Sequence, residues 1–545
     1  MSSTFTTGDM VWVADEKDAW IFGTVMRSDK DSVEVKCKDR PNIIIKSKDV
    51  ARSVEVAGSH LMDDVTNLVE LDELSEGAIL HHTRKRYYEK KIYTFVGAIL
   101  VAVNPFENID IYGPDDISRA TNSKATGLYP HVYVTSSNAY TQLMTNKKNQ
   151  SILISGESGA GKTENTKKVL KYLATVAPSV KADKVVSDDT EDHDMEETFG
   201  IEEKILQSNP LLEAMGNAKT LRNNNSSRFG KWMKVDFDAS FRIQGCEIVN
   251  YLLEKTRVVN AAMEERNYHI FYQLIKGTEA NMKRRLYLGE LEDYRYIAHT
   301  GCTTIPDVDD SQGFVEVLQA LNVLHFPPAS CEHMFKILAA ILNLGNLNYS
   351  AVKTQHGDEA ELTKDSLAII TNVSDLLGVN MVDFDVSLRQ KFMRMGKGSV
   401  VAVKLTPQQS ADSRDALAKN LYGTMFDWVI VHINESLKTK NERYSIGILD
   451  IFGFEVFQTN SFEQLCINYA NEKLQYHFND VIFNQEMEMY KQENIPLDAI
   501  QFSDNVDCVK LIEGKPLVLT HSLTYSPTYS LTRLLTHPGT ADVAG

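Results

Sequence analysis

Gly156-Glu157-Ser158-Gly159-Ala160-Gly161-Lys162-Thr163 fits the pattern G-x-x-x-x-G-K-[ST], and its reading decides the fold. Glycines reach backbone conformations that a Cβ forbids, so successive amides can turn inward around an anion. In such a loop Lys162 reaches β- and γ-phosphates, and the Thr163 hydroxyl joins a Mg²⁺ shell. The flanks agree. Ser151-Ile152-Leu153-Ile154-Ser155 is a β-rich run, and residues 163–177 read as a helix with Val169, Leu173 and Val176 on one face. Strand, glycine loop and helix N-terminus together make an anion site. An ordinary glycine turn before a helix would also accommodate these residues, and the loop alone does not say what a hydrolysis would serve.

The 545-residue chain is long enough for several domains or one large elaborated one. Its hydrophobic fraction of 43% and charged fraction of 24% are those of an ordinary globular protein. With 57 Lys and Arg against 74 Asp and Glu, the formal charge is −17, which argues against nucleic acid as a main partner. The six cysteines (Cys37, Cys246, Cys302, Cys331, Cys466, Cys508) show neither paired metal spacing nor a dense disulfide framework, as expected of reduced thiols in a cytosolic protein. The start, Met1-Ser2-Ser3-Thr4-Phe5, lacks the form of a secretory signal, and no apolar run approaches the ~18 residues of a membrane span. A cytoplasmic protein without a membrane segment is expected.

Residues 8–50 alternate short β-rich runs with polar turns, which predicts a small N-terminal β-barrel over residues 1–55. Mixed α/β patterning follows over 56–516, and Ile92–Val103 is β-rich until Asn104-Pro105-Phe106 stops it. Residues 181–197 form a charged insertion, expected to be a flexible surface loop. Helical patterns dominate 270–388. Residues 460–492 predict one long amphipathic helix, with Ile467, Ala470, Leu474, Phe478 and Val481 on a stripe that core packing alone would explain. Residues 517–545 carry Thr at every fourth position from 520 to 540 and no convincing core pattern, so a low-complexity tail without fold is expected.

A triphosphatase also needs groups that hold the metal, orient water and sense the γ-phosphate. Asn223-Asn224-Asn225-Ser226-Ser227-Arg228-Phe229-Gly230-Lys231 offers amides, hydroxyls and a guanidinium within nine residues. Tyr444-Ser445-Ile446-Gly447-Ile448-Leu449-Asp450 is an apolar strand ending in an acid, and Ile451-Phe452-Gly453-Phe454-Glu455 follows it. Taken singly, the first could be a polar loop and Asp450 a helix cap.

The trio GESGAGKT, NNNSSRFGK and DIFGFE resembles the motor head of myosin, an unconventional heavy chain. Kinesin-type motors share the loop and a similar first switch, but their second switch does not read DIFGFE. Further matches fall in order. Asn104-Pro105-Phe106 with Tyr112 looks like the adenine-binding loop, and no guanine-specific N-K-x-D motif is evident. Leu211–Ala218 precedes the first switch, and Tyr251-Leu252-Leu253-Glu254-Lys255 and Arg266-Asn267-Tyr268-His269-Ile270-Phe271 follow it, as in myosins. Asp415-Ala416-Leu417-Ala418-Lys419 resembles the helix after the actin-facing upper loop, and the helix from Asn460 resembles the relay helix. The implied fold is α/β: a P-loop NTPase core with a central twisted, mostly parallel sheet flanked by helices, plus the N-terminal barrel.

The resemblance implies an ATP hydrolase that uses ATP and Mg²⁺ and binds actin filaments in the cytoskeleton. The loop Gly156, Glu157, Ser158, Gly159, Ala160, Gly161, Lys162 and Thr163 then binds phosphates together with Asn223, while Asn104, Pro105 and Tyr112 face adenine. Thr163 and Ser227 ligate Mg²⁺, and Asp450 holds a metal-bound water. Ser226 helps hold the attacking water, and the Gly453 amide bonds a γ-phosphate oxygen. Arg228 and Glu455 form the ion pair that closes one switch on the other, and Glu455 passes on a proton through a second water. Ser399, sixteen residues before the DALAK aspartate, stands where the family usually carries an acid or a phosphorylatable residue. An ordinary loop serine is the alternative.

Two departures stand out. Leu497 replaces a tryptophan common in the family, and after Pro516 no lower-subdomain actin site, converter, lever arm or light-chain motif is recognisable. The expectation is a motor head truncated before its converter. The alternative is a non-motile fragment that binds nucleotide or actin weakly, or an inert truncated product.

Overall fold

The computed structural model describes residues 5–38, 40–58, 63–122, 129–177, 199–355, 357–394, 400–438, 442–456, 460–495 and 504–514. The acidic insertion, Ser399, Leu497 and the tail 517–545 lie outside them. The chain divides into two compact units, one of residues 1–148 with 167–177, the other of 149–166 with 178–545.

The first unit opens with β1 (Met10–Asp15), β2 (Ala19–Ser28), β3 (Ser32–Cys37), β4 (Ile43–Lys46) and β5 (Val54–Val56). They form one antiparallel sheet in the order β4-β3-β2-β1-β5. In β3 the side chains alternate, so Val33, Val35 and Cys37 are buried while Lys36 is exposed. They join Phe5, Val11, Val13, Val25, Ile45 and Val54 in one apolar core. The Glu76–Tyr88 helix starts at Ser75, whose hydroxyl accepts the Ala78 amide at 3.2 Å. The β-rich run that proline stops is a hairpin of β6 (Tyr93–Val96) and β7 (Ile99–Ala102).

The second unit is built on β8 (Gln150–Ile154), β9 (Asn217–Ala218), β10 (Ser226–Ser227), β11 (Gly230–Phe237), β12 (Ile243–Tyr251), β13 (Tyr349–Thr354), β14 (Gly357–Leu362), β15 (Gln390–Arg394), β16 (Val400–Lys404) and β17 (Tyr444–Asp450). Its main sheet has the order β12-β11-β17-β8. Only β8 and β17 run parallel; β11 is antiparallel to both β17 and β12. The expected mostly parallel sheet is therefore corrected, among the described residues, to a mixed one. Asp238 to Arg242 joins β11 to β12 directly, and a short connection of this kind makes those two neighbours antiparallel, whereas the antiparallel sense of β11 against β17 is set by a pairing across more than two hundred residues.

Helices Ile201–Gly216 and Pro407–Leu437 pack on β12. The second is 31 residues long, opened by a capping box between Thr406 and Gln409, and its Asn434 hydrogen-bonds both the amide and the carbonyl of Ile248 at 2.8 Å. The region 270–388 is helical apart from the hairpin β13–β14.

The helix expected over 460–492 runs without a break from Phe462 to Gln492, but it is not α-helical throughout. Ser461 caps the Phe462–Asn479 helix, a π-helical turn occupies Asp480–Asn484, and a further helix spans Gln485–Gln492. On the expected stripe Ile467 is buried, Ala470, Leu474 and Phe478 are half-buried, and Val481 is exposed, so the stripe is not a core seam along its whole length. Among the described residues no single helix is long and apolar enough to cross a membrane.

Candidate nucleotide and switch site

The glycine loop leaves β8 and runs into the helix Lys162–Val176 as expected. Gly156, Gly159 and Gly161 have φ of +152°, +86° and +89°, conformations that side-chain-bearing residues rarely adopt. The Lys162 ammonium donates to the carbonyls of Gly156 and Glu157, both at 2.8 Å. Burial pushes its pKa below the ordinary lysine value, against the opposing pull of Asp450, Glu455 and Glu157. A cation held among loop carbonyls with three acids nearby suits an anionic ligand that can take over those contacts.

The Asn223–Arg228 segment meets the loop at two hydroxyl pairs. Ser158 Oγ lies 3.2 Å from Ser226 Oγ, and Thr163 Oγ1 lies 3.2 Å from Ser227 Oγ. Asn223 is tied into its own turn, accepting the Asn225 amide at 3.0 Å through Oδ1. Asn225 is braced more firmly. Its Oδ1 accepts from Asn217 Nδ2 at 3.0 Å and from His269 Nε2 at 3.1 Å, and its Nδ2 donates to Glu213 at 3.2 Å. Burial pushes the His269 pKa down to about 3, so the ring is neutral and its Nε2 proton points at Asn225.

Asp450 ends β17 opposite Lys231 of β11. Its Oδ2 is buried without a hydrogen-bond partner among the described residues, and the Lys231 ammonium stands 3.6 Å from it. A buried carboxylate oxygen of this kind fits a role as acceptor for the water shell of a hard cation. The Thr163 and Ser227 hydroxyls supply the other oxygens, and among the described residues no group of three or more His, Cys, Asp or Glu side chains offers an alternative metal site. The donor set fits Mg²⁺.

Beyond β17 the chain turns back on the loop. A Cβ on Gly453 would lie 2.2 Å from the Gly156 carbonyl oxygen and 2.6 Å from the Glu157 carbonyl carbon, so only glycine permits the approach. Two residues on, Glu455 takes Arg228 in a two-pronged pair, Nη1 to Oε1 at 2.6 Å and Nη2 to Oε2 at 3.0 Å. Both residues are buried. Arg228 Nη1 also donates to Ser226 Oγ at 3.1 Å, and its Nε donates to Glu254 at 2.7 Å.

The structure thus brings together the loop, Asn223, Ser226, Ser227, Arg228, Asp450, Gly453 and Glu455. Asn104, Pro105 and Tyr112 belong to the first unit, where Tyr112 bonds Tyr93 hydroxyl to hydroxyl at 2.8 Å and Asn104 Oδ1 accepts the Phe106 amide at 3.0 Å. Glu254 and Lys231 lie within the motifs that resemble myosin but carried no role from the sequence, and no motif marks Arg257, Glu265, Asn468 or Asn471. Arg257 bridges Glu254 at 2.6 Å and Glu265 at 2.9 Å, which extends the ion pair into a buried chain of five charged groups. Two guanidiniums beside Glu254 outweigh its burial and hold its pKa down at about 2.

The model of the myosin head (motor domain) matches residues 65–524, past Pro516 where the expected motor segment stops, and that of the myosin N-terminal SH3-like domain matches residues 1–52. Myosin-3 of Arabidopsis thaliana is 39% identical over 520 residues, covering 95% of this chain and 42% of the relative. The myosin-I heavy chain of Dictyostelium discoideum is 43% identical over 456 residues (83% of this chain, 18% of the relative). The unconventional myosin-Vb of Rattus norvegicus is 39% identical over 522 residues (94% and 27%). The chain belongs to the myosin head family. It spans less than half the length of each of these relatives.

Proposed function

We propose that this chain is an actin-based motor ATPase head that hydrolyses ATP with Mg²⁺, working in the cytoplasm on the actin cytoskeleton. The five-stranded first sheet is read as the small N-terminal barrel, and the second unit as the P-loop core with the upper actin-facing region. The observation that carries the reading is the two-pronged Arg228–Glu455 pair, which joins the two segments that flank the glycine loop.

Bound Mg²⁺ would supply positive charge against the triphosphate oxygens, held through Thr163, Ser227 and the water shell accepted by Asp450. Lys162 and the loop amides bind and orient the phosphates. Gly453, pressed against the loop, would offer its amide to the terminal phosphate. Ser226 accepts from Arg228 Nη1, which fixes its hydroxyl beside the loop, where it would help hold the attacking water. The Arg228–Glu455 pair excludes bulk solvent and fixes the Glu455 carboxylate as the end of a proton path. Catalysis is mainly positioning and charge stabilisation.

The test is Arg228→Ala and Glu455→Ala, assayed for binding of a fluorescent ATP analogue and for phosphate production. Both variants are expected to bind the analogue and to lose nearly all hydrolysis. Turnover at the wild-type rate in either one refutes the assignment.

A further inference from the structure

Arg228 has two carboxylate partners, and they are held in different ways. Glu455 lies in the irregular turn after β17, its backbone gripped by a side chain of the Phe462–Asn479 helix. Glu254 sits at the same end of the β11–β12 hairpin as Arg228 itself, since Gly230 pairs with Tyr251. The Glu254 amide donates to the Arg228 carbonyl at 3.0 Å, and the Glu254 carbonyl accepts the Tyr268 hydroxyl at 2.8 Å. Its carboxylate is shared between Arg228 Nε at 2.7 Å and Arg257 Nε at 2.6 Å. Arg228 and Glu254 therefore form one rigid piece, while Glu455 is a partner supplied from another.

A buried guanidinium stripped of its only acid is strongly destabilising, so an ion pair built to open needs something to hold the charge that remains. We infer that Glu254 is the resident counter-ion of Arg228, a positioning residue that lets the Arg228–Glu455 pair break without leaving a bare buried cation. Arg257 tunes it: by drawing on the same Glu254 oxygen it weakens the hold of Glu254 on Arg228 and so leaves Arg228 available to Glu455. This inference rests on the reading of Arg228–Glu455 as a closable switch. It adds that the ease of reopening is set by a third residue, outside both switch segments.

The experiment uses the 545-residue chain and its Glu254→Gln, Arg257→Gln and Arg228→Ala variants. Three quantities are measured: phosphate formed in a single turnover, steady-state turnover, and the lifetime of a complex trapped with Mg²⁺, a fluorescent ADP analogue and vanadate. Glu254→Gln is expected to form phosphate in a single turnover with near wild-type amplitude. Its trapped complex should live roughly tenfold longer or more, with steady-state turnover slowed to match. Arg257→Gln should act in the opposite direction and shorten that lifetime, and it decides the matter if Glu254→Gln does not fold. An unchanged lifetime in the folded variants, or loss of the single-turnover amplitude in Glu254→Gln, overturns the inference. Wild-type hydrolysis by Arg228→Ala instead overturns the switch reading on which it rests.

Discussion

Asn468 holds the backbone of Glu455 from both sides: its Oδ1 accepts the Glu455 amide and its Nδ2 donates to the Glu455 carbonyl, each at 2.8 Å. Three residues on, Asn471 Nδ2 donates to the Phe452 carbonyl at 3.0 Å. The i, i+3 spacing puts both amides on one helix face, so the Phe462–Asn479 helix grips the turn that carries Gly453 and Glu455. Asn468→Ala leaves two buried backbone groups unsatisfied, at about 1–3 kcal/mol each. The expected outcome is ATP-analogue affinity within a few-fold of wild type and hydrolysis slowed by tenfold or more. Unchanged single-turnover hydrolysis would show that the helix does not position the turn.

Gly453→Ala places a methyl where the nearest atoms are backbone, the Gly156 carbonyl oxygen at 2.2 Å and the Glu157 Cα at 2.7 Å. Neither can swing aside as a side chain would. The turn must retreat from the loop, and Glu455 from Arg228 with it. Nucleotide binding should survive while phosphate production falls by at least about a hundredfold. An alanine variant that hydrolyses at the wild-type rate would rule out the close approach.

The Thr163 and Ser227 hydroxyls, 3.2 Å apart, are the proposed oxygens for Mg²⁺. Thr163→Val and Ser227→Ala should each raise the Mg²⁺ concentration needed for half-maximal tight binding of an ATP analogue by roughly tenfold or more. Affinity measured in excess chelator should change little, because the loop amides and Lys162 remain. A Mg²⁺ titration that superimposes on wild type for both variants would remove them from the metal site.

Asp236, buried in β11, has its carboxyl pushed up to about 6 by burial, with Lys234 at 3.2 Å opposing the shift. An acid whose folded pKa exceeds its ordinary value of 3.8 binds more protons in the native state than in the unfolded one. Stability is therefore lost as pH rises from about 4 to about 6, and the loss is complete above that window. Asp236→Asn should raise Tm at pH 7.5, and the difference should shrink toward pH 4.5. Equal melting of the two proteins at pH 7.5 would contradict this.

Much of the site was legible because its signals are local. Positive φ at Gly156, Gly159 and Gly161 is a demand made by a few consecutive residues, and the spacing to Lys162 and Thr163 is set by one loop. The alternation in β3 and the apolar run ending at Asp450 are local as well. The sheet was misread where strand direction depends on pairing: β11 lies between β12, its neighbour in sequence, and β17, which is more than two hundred residues away. The long helix was legible, since residues Phe462 to Gln492 are helical throughout, but an apolar stripe registers period alone and could not reveal the π turn at Asp480–Asn484.

The sequence by itself determined the glycine loop, its lysine and hydroxyl, the two flanking segments and the family they resemble. Only the tertiary structure decided that Arg228 is shared between Glu455 and Glu254, that Arg257 and Glu265 extend the chain of charge, and that Asn468 grips the turn. The reason is physical. A loop's conformation is specified by its own residues, whereas the strength of an ion pair depends on burial and on which distant partners share its charge, and neither is set until the chain has folded.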